Sequence, residues 1–383
     1  MAVSNRISRR QFLRTNAGSA AAVLAGPAVL RAAQSNQPAG DDICCGMIGT
    51  GGRGTAILNA LKNVPGARVT ALCDIDAKNL NQASEIVADD NPKLFKDYRK
   101  MLDFKDLDAV FVATPCHLHK VMFVAVLKSG RHCYGEKPMA LNVADLNEIV
   151  RVSKSSKGIF QIGTQLRYDG KARAAVRAIH EGKIGKPIFI RMSRHNDWDM
   201  AHDRKWLFKR KFSGDTIVEQ AVHEFDACNW VFKGVAVRAA GFGGQAVLFE
   251  PEGRDLMDHY TLSLDYGKNK KVSYSHSWIS GSKAPINNIQ LAVLGSEATI
   301  DLLQATIYPR TGRRFDKTES IKLEPELKGH RNRLAVEAFF DCCRQGKKPL
   351  ANVETGRDAT LVALLGRMAL DTERVVTMKE LLA

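Results

Sequence analysis

From Ile43 onward the chain alternates short apolar runs with segments whose apolar residues recur three and four positions apart. The runs 43–48, 68–73, 109–113 and 131–134 predict strands, and the segments 53–63, 77–88, 97–102 and 118–129 predict helices. Strands and helices alternating at this interval build a parallel, doubly wound sheet, and ligands bind such sheets at the carboxyl ends of the strands. Gly49, Asp74, Thr114 and Gly135 then fall on one edge. Past residue 170 the pattern changes. A helix over 170–181, closed by Gly182 and Gly185, is followed by strands near 187–194, 236–241, 258–265, 271–278, 288–293 and 297–301. Many strands with few helices predict one broad second sheet. The fold class is α/β, in two parts.

The chain has 383 residues, 45% of them apolar, enough for two cores. No run of eighteen apolar residues follows the N-terminal segment, so no membrane anchor is expected. The formal charge is +15, but five arginines precede Gln34 with no acid among them. The remaining basic residues are dispersed apart from Lys205–Lys211, which reads as a solvated rim, and no nucleic-acid module is recognisable. The eight cysteines show no CxxC or Cys/His spacing that would bind zinc, so no metal is expected.

Ser8-Arg9-Arg10-Gln11-Phe12-Leu13-Arg14 resembles the twin-arginine export signal, with arginine at 14 where lysine is usual. An alanine-rich stretch and Arg31-Ala32-Ala33 follow it, so residues 1–33 read as an address. Signals of this kind route folded proteins, often with a cofactor bound, to the periplasm, where disulfides become an open question. The expected division is signal 1–33, linker 34–42, nucleotide-binding domain 43–162 and substrate domain 163–383.

Gly49, Gly51 and Gly54 stand in G-x-G-x-x-G spacing between the first strand and the first helix. In a dinucleotide site the first glycine makes the turn, the second admits the pyrophosphate, and the third lets helix and strand pack closely. Asp74 ends the second strand twenty residues beyond Gly54, where a carboxylate accepts from a ribose hydroxyl. No arginine adjoins Asp74-Ile75-Asp76, which favours NAD, while nearby Lys78 leaves NADP as the alternative. Gly135-Glu136-Lys137-Pro138-Met139 stands at a strand end on the same edge. A lysine there can bond a substrate hydroxyl, and Pro138 fixes the backbone after it. The stretch 213–226 has helical spacing at Ile217, Val218, Ala221, Val222 and Phe225, which puts Glu219 and His223 on one helix face. Asp197, Trp198, His202 and Trp206 supply aromatic and polar groups suited to a sugar ring, with His276 and Trp278 as further rim candidates.

Gly49-Thr50-Gly51-Gly52-Arg53-Gly54, Ala113-Thr114-Pro115 with His119, Gly135–Met139, Ile162–Arg167 and Asn352–Gly356 together resemble the Gfo/Idh/MocA oxidoreductases over nearly the whole chain after the signal. The resemblance implies a nicotinamide-binding Rossmann domain and a C-terminal α/β domain. The latter carries a large open, mostly antiparallel sheet often used for oligomer contacts, so a dimer or tetramer is expected. It adds Gly52, Arg53, Thr114, Pro115, His119, Glu136, Lys137 and Gln165 to the cofactor site, and Arg167, Glu219 and His223 to the substrate side, where the aromatic faces of Trp198 and Trp206 are expected beside them. The family's aspartate four residues before the catalytic histidine is Glu219 here, so Lys137, His223 and Glu219 form the catalytic set. The function implied is hydride transfer between tightly held NAD and a sugar or glycoside hydroxyl, with the cofactor recycled on the enzyme. The alternative is a glycosidase that oxidises transiently and eliminates. Against it, Glu224-Phe225-Asp226 follows His223 where exported relatives of that kind carry glycines. A non-catalytic nucleotide- or sugar-binding protein is the third reading.

Overall fold

The computed structural model describes residues 42–197, 205–247, 254–312 and 318–383. The signal, nearly all of the linker, Trp198 and His202 lie outside the described residues.

The first sheet is parallel, built from β1 (Ile43–Ile48), β2 (Ala67–Cys73), β3 (Lys93–Phe95), β4 (Ala109–Val112), β5 (His132–Gly135) and β6 (Phe160–Ile162) in the order β3-β2-β1-β4-β5-β6. Every residue of β4 is buried, as a strand covered on both faces requires. The helices between strands are α1 (Gly52–Leu61), α2 (Ala77–Ile86), α3 (Tyr98–Leu102), α4 (His119–Lys128) and α5 (Val143–Ser155). Asp76, Asp97 and Asn142 cap α2, α3 and α5 by accepting from the first free backbone N–H groups. α1 has no side-chain cap.

After α6 (Gly170–His180), capped by Asp169 and ended at Gly182 and Gly185 with φ of +82° and +70°, the second sheet begins. It comprises β7 (Pro187–His195), β8 (Arg238–Gly244), β9 (His259–Asp265), β10 (Lys271–Ser277), β11 (Asn288–Gly295), β12 (Ala298–Asp301), β13 (Thr306–Pro309), β14 (Ile321–Lys322) and β15 (Val376–Thr377). The order is β14-β13-β12-β11-β7-β10-β9-β8-β15, antiparallel except for β7 beside β10. One face of this sheet is covered by helices. These are α6 and, after the short α7 (Arg210–Ser213), α8 (Thr216–Glu219), α9 (Val222–Phe232) and, after α10 (Arg331–Gln345), α11 (Val353–Thr372). A final turn, α12 (Met378–Leu381), ends the chain.

Two elements cross the expected boundary at residue 162. α10 packs on the parallel sheet: the Phe339 ring lies 5.3 Å from Phe111 and 5.7 Å from Tyr134, centroid to centroid. Val353 and Leu361 of α11 also join the parallel-sheet core. Position 162 therefore separates the sheets but not their cores.

The helix expected across 213–226 is broken. At Ala221 the backbone ladder slips to the carbonyl five residues back, with Ala221 N donating to Thr216 O, and α9 restarts at Val222. The buried Gln220 is held sideways at the break, its Oε1 accepting from Trp278 Nε1 at 2.8 Å. His276 and Trp278 are accordingly core residues, each 1% exposed, and not rim groups.

Candidate active site

A cleft of about 1090 Å³ opens along the carboxyl edge of the parallel sheet and continues under the second sheet. At one end lie Gly49, Gly51, Gly52, Arg53, Asp74 and Asn79. Gly49 turns the chain with φ of +86°, and its position tolerates no side chain because a Cβ would lie 2.8 Å from the Ala113 carbonyl group. Gly54 is set back in the helix–strand contact, where a Cβ would meet Gly49 O at 2.1 Å. Asp74 Oδ2 accepts from Thr50 N at 2.7 Å and from Thr50 Oγ1 at 3.1 Å, which joins the end of β2 to the glycine turn.

Thr114, Pro115, Glu136, Lys137 and Gln165 line the middle of the cleft. The buried Glu136 organises it, accepting from Arg53 Nε at 2.7 Å and Gln165 Nε2 at 2.9 Å. Gly163 makes room for that carboxylate, which a Cβ would approach to 2.6 Å. His119 does not line the cleft. It is 1% exposed beneath it, with Nδ1 2.6 Å from Pro138 O and Nε2 2.9 Å from Thr114 O, so it braces the two loops that do.

At the far end stand Glu219, His223, Glu224, Arg194 and Trp206. Lys137, whose peptide bond to Pro138 is cis, reaches across to donate from Nζ to Glu219 Oε1 at 2.7 Å and to Glu219 O. The break in the helix thus leaves Glu219 and His223 on the same cleft, and the ion pair of Lys137 with Glu219 ties the parallel sheet to the second domain. The His223 ring makes no hydrogen bond among the described residues. Burial holds its pKa well below the ordinary 6.5, helped by the cations Lys137, Arg194, Arg53 and Arg331, so it is neutral near pH 7.

Arg167 is elsewhere. Its guanidinium grips both Asp226 oxygens at 2.8–3.0 Å and lies over the Trp230 ring, so it fastens the 165–168 turn to α9 and has no face on the cleft. The substrate contact expected of it is replaced by a buried structural ion pair. Arg194, His117, Arg331 and Asn332, conversely, line the cleft without having stood out in the sequence. Arg194 had one signal: it continues the alternation of Ile190 and Met192 on the helix-covered face of β7, where a charge breaks the pattern.

The cleft residues fit a dinucleotide. The N-terminus of the ten-residue α1 opens there with no side-chain cap and no acidic residue in its first turn, which leaves N–H donors for an anion. At Gly51 a Cβ would come no closer than 3.4 Å to protein atoms, so that absent side chain clears the space where a pyrophosphate approaches. Among the described residues no group of histidine, cysteine or acidic side chains forms a metal site, and the eight cysteines are free thiols.

A glycine turn at a bare helix N-terminus, an acid at the second strand end, and a lysine and histidine facing it define a nicotinamide-dependent oxidoreductase. Residues 43–164 match the oxidoreductase family with an NAD-binding Rossmann fold, and residues 172–301 match the GFO/IDH/MocA C-terminal domain. The chain belongs to the GFO/IDH/MocA family. Over 355 residues, 88% of this chain and 99% of the relative, it is 23% identical to a myo-inositol 2-dehydrogenase of Thermotoga maritima. It is 31% identical to a glycosyl hydrolase family 109 protein of Saccharopolyspora erythraea over 208 residues, 49% of this chain and 45% of that one. A solved levoglucosan dehydrogenase in complex with NADH and levoglucosan shares the fold, with a TM-score of 0.76 at 17% identity, covering 88% of this chain and 99% of that one.

Proposed function

We propose that the protein is an exported, NAD(H)-dependent dehydrogenase that oxidises a CH–OH group of a sugar or cyclic polyol. The observation that carries this reading is the convergence of Lys137 and His223 at the far end of the cleft that begins at the glycine turn. The pyrophosphate is assigned to Gly51, Gly52 and Arg53, the ribose to Asp74, and the nicotinamide edge to Thr114, Pro115, Glu136 and Gln165. Bound NAD supplies the hydride acceptor.

The chain's own residues handle the proton. Neutral His223 accepts it from the substrate hydroxyl as the C–H bond breaks, and the Lys137 ammonium donates a hydrogen bond to the oxygen as charge builds there. Glu219 fixes Lys137 at 2.7 Å and keeps its amine turned toward the substrate end. Trp206, packed against the buried Leu207, Phe208, Leu256 and Trp278, offers a ring face at the wall; Trp198 is assigned the same role from the sequence. Formation of one NADH per molecule of keto product when a sugar or polyol is added to the NAD-loaded protein tests the reading. Purified protein that binds NAD yet oxidises no sugar or polyol refutes it.

The matches to glycosyl hydrolase family 109 proteins favour one second reading, transient oxidation followed by elimination. Aglycone release from an aryl glycoside without net NADH selects it. Export rests on Ser8–Arg14, and cell fractionation of wild type against a paired Arg9→Lys, Arg10→Lys variant checks it. A dimer or tetramer is proposed from the open face of the nine-stranded sheet, to be read by light scattering.

A further inference from the structure

The far end of the cleft contains a cation that the dehydrogenase chemistry leaves unused. Arg194 stands near the end of β7, on the wall beside His223, with its side chain 16% exposed. Its one ionic contact is single and long, Nη1 to Glu224 Oε1 at 3.3 Å. A guanidinium has five N–H donors in a planar fork. None of the other Arg194 nitrogens is buried without a partner, so the unused side of the fork opens onto the cleft.

The charges around it are unbalanced. Lys137 is matched by Glu219 and Arg194 loosely by Glu224, but Arg331, on the opposite wall at the start of α10, has no ion pair or side-chain hydrogen bond among the described residues. Glu224 is a weak counterion. It is 1% exposed, its Oε2 has no partner among the described residues, and burial raises its pKa against the pull of Arg194. Among the described residues the substrate end thus carries one net positive charge and an open guanidinium fork.

Resting on the dehydrogenase reading, we propose that the substrate is a sugar acid, a uronate or aldonate, whose carboxylate is held by the Arg194 fork while a ring or chain hydroxyl faces His223. A planar fork matches a carboxylate by two parallel hydrogen bonds, which a neutral hydroxyl cannot reproduce. Arg331 draws the anion to the mouth, and the apolar side chains Ile289, Leu291 and Leu303 wall the same end. Glu224 tunes the fork by holding one of its corners.

The test compares matched pairs, glucuronate with glucose and galacturonate with galactose, in wild type, Arg194→Lys, Arg194→Met and Glu224→Gln. Binding to the NADH-loaded protein is followed by calorimetry alongside kcat/KM. Wild type is expected to favour each acid over its neutral partner by about 10- to 100-fold, the range for a charge-assisted pair. Arg194→Met removes that preference, read as the ratio of the acid's constants to the neutral sugar's within the same protein. Arg194→Lys, which keeps the charge but not the fork, restores part of it, and Glu224→Gln, which frees the guanidinium, raises it.

A wild type that handles the neutral sugars as well as the acids overturns the proposal. So does an Arg194→Lys or Glu224→Gln protein that loses both members of a pair equally, because a purely structural role predicts that pattern. If NADH binds but neither member of any pair is oxidised, the dehydrogenase reading fails. Arg194-dependent uronate binding by calorimetry then still supports the carboxylate site, and its absence removes it.

Discussion

Replacing Lys137 by methionine separates the catalytic role of the amine from its structural one. Lys137 and Glu219 are 13% and 12% exposed at their side chains, so their 2.7 Å contact is nearly shielded from water. Removing the ammonium breaks this shielded pair with Glu219, at a cost of about 3 kcal/mol, the lower end for a broken buried pair. Loss of the hydrogen bond to the developing alkoxide lowers kcat by about 10²- to 10⁴-fold. NAD affinity stays near wild type, because the pyrophosphate and ribose contacts lie at the other end of the cleft. The double variant Lys137→Met, Glu219→Gln recovers part of the stability, since both charges of the broken pair are then gone, but none of the turnover. The assays are urea unfolding, fluorescence titration with NADH, and NADH formation from myo-inositol and glucuronate. Turnover by Lys137→Met within about threefold of wild type, less than the smallest general acid–base contribution, would refute the assignment. Recovery of turnover in the double variant would do the same.

Three further outcomes are expected. His223 must be neutral to take a proton, and its pKa lies well below 6.5, so kcat/KM is flat through neutrality and falls only as pH drops below that value. Stability falls in the same direction, because the unfolded histidine binds its proton first; His223→Asn lowers the plateau by about 10²- to 10⁴-fold, and an acid limb centred at or above 6.5 contradicts the burial argument. Gly54→Ala drives a methyl to 2.1 Å from Gly49 O and lowers the thermal midpoint. Gly51→Ala meets nothing nearer than 3.4 Å, so it folds normally and shows its effect as weaker NAD binding, about tenfold for one lost charge-assisted contact; equal destabilisation by the two counts against the assigned glycine roles. Asp74→Asn removes the carboxylate that repels a 2′-phosphate and narrows the preference for NAD over NADP by about tenfold, measured as the ratio of the two dissociation constants.

The parallel sheet was legible because its signals are local. Apolar runs, the glycine spacing and an acid at a strand end each act within a few residues, and β1, β2, β4 and β5 lie within two residues of where the pattern puts them, while the three-residue edge strand β3 carries too short a run to be read. Lys137 and His223 were legible through the motifs that carry them. The intact helix over 213–226 was not realised, because what breaks it is a bond from Trp278, 58 residues on from Gln220, to that buried side chain. Sequence spacing also gave no warning that Arg167 would be consumed by Asp226, 59 residues away, because both are ordinary surface types until burial forces them to pair. Arg194 becomes a cleft residue only when β7 is set between β10 and β11 beside α9.

Local chemistry along the chain therefore determined the class of fold, the glycine turn at the sheet edge and the motifs carrying the lysine and histidine that the cleft brings together. Tertiary structure alone decided which charges are paired and which face the cleft, because a side chain's partners depend on the desolvation that packing imposes. That is why α10, remote in sequence, completes the first core with Phe339 and Phe340 and brings Arg331 to the mouth of the site.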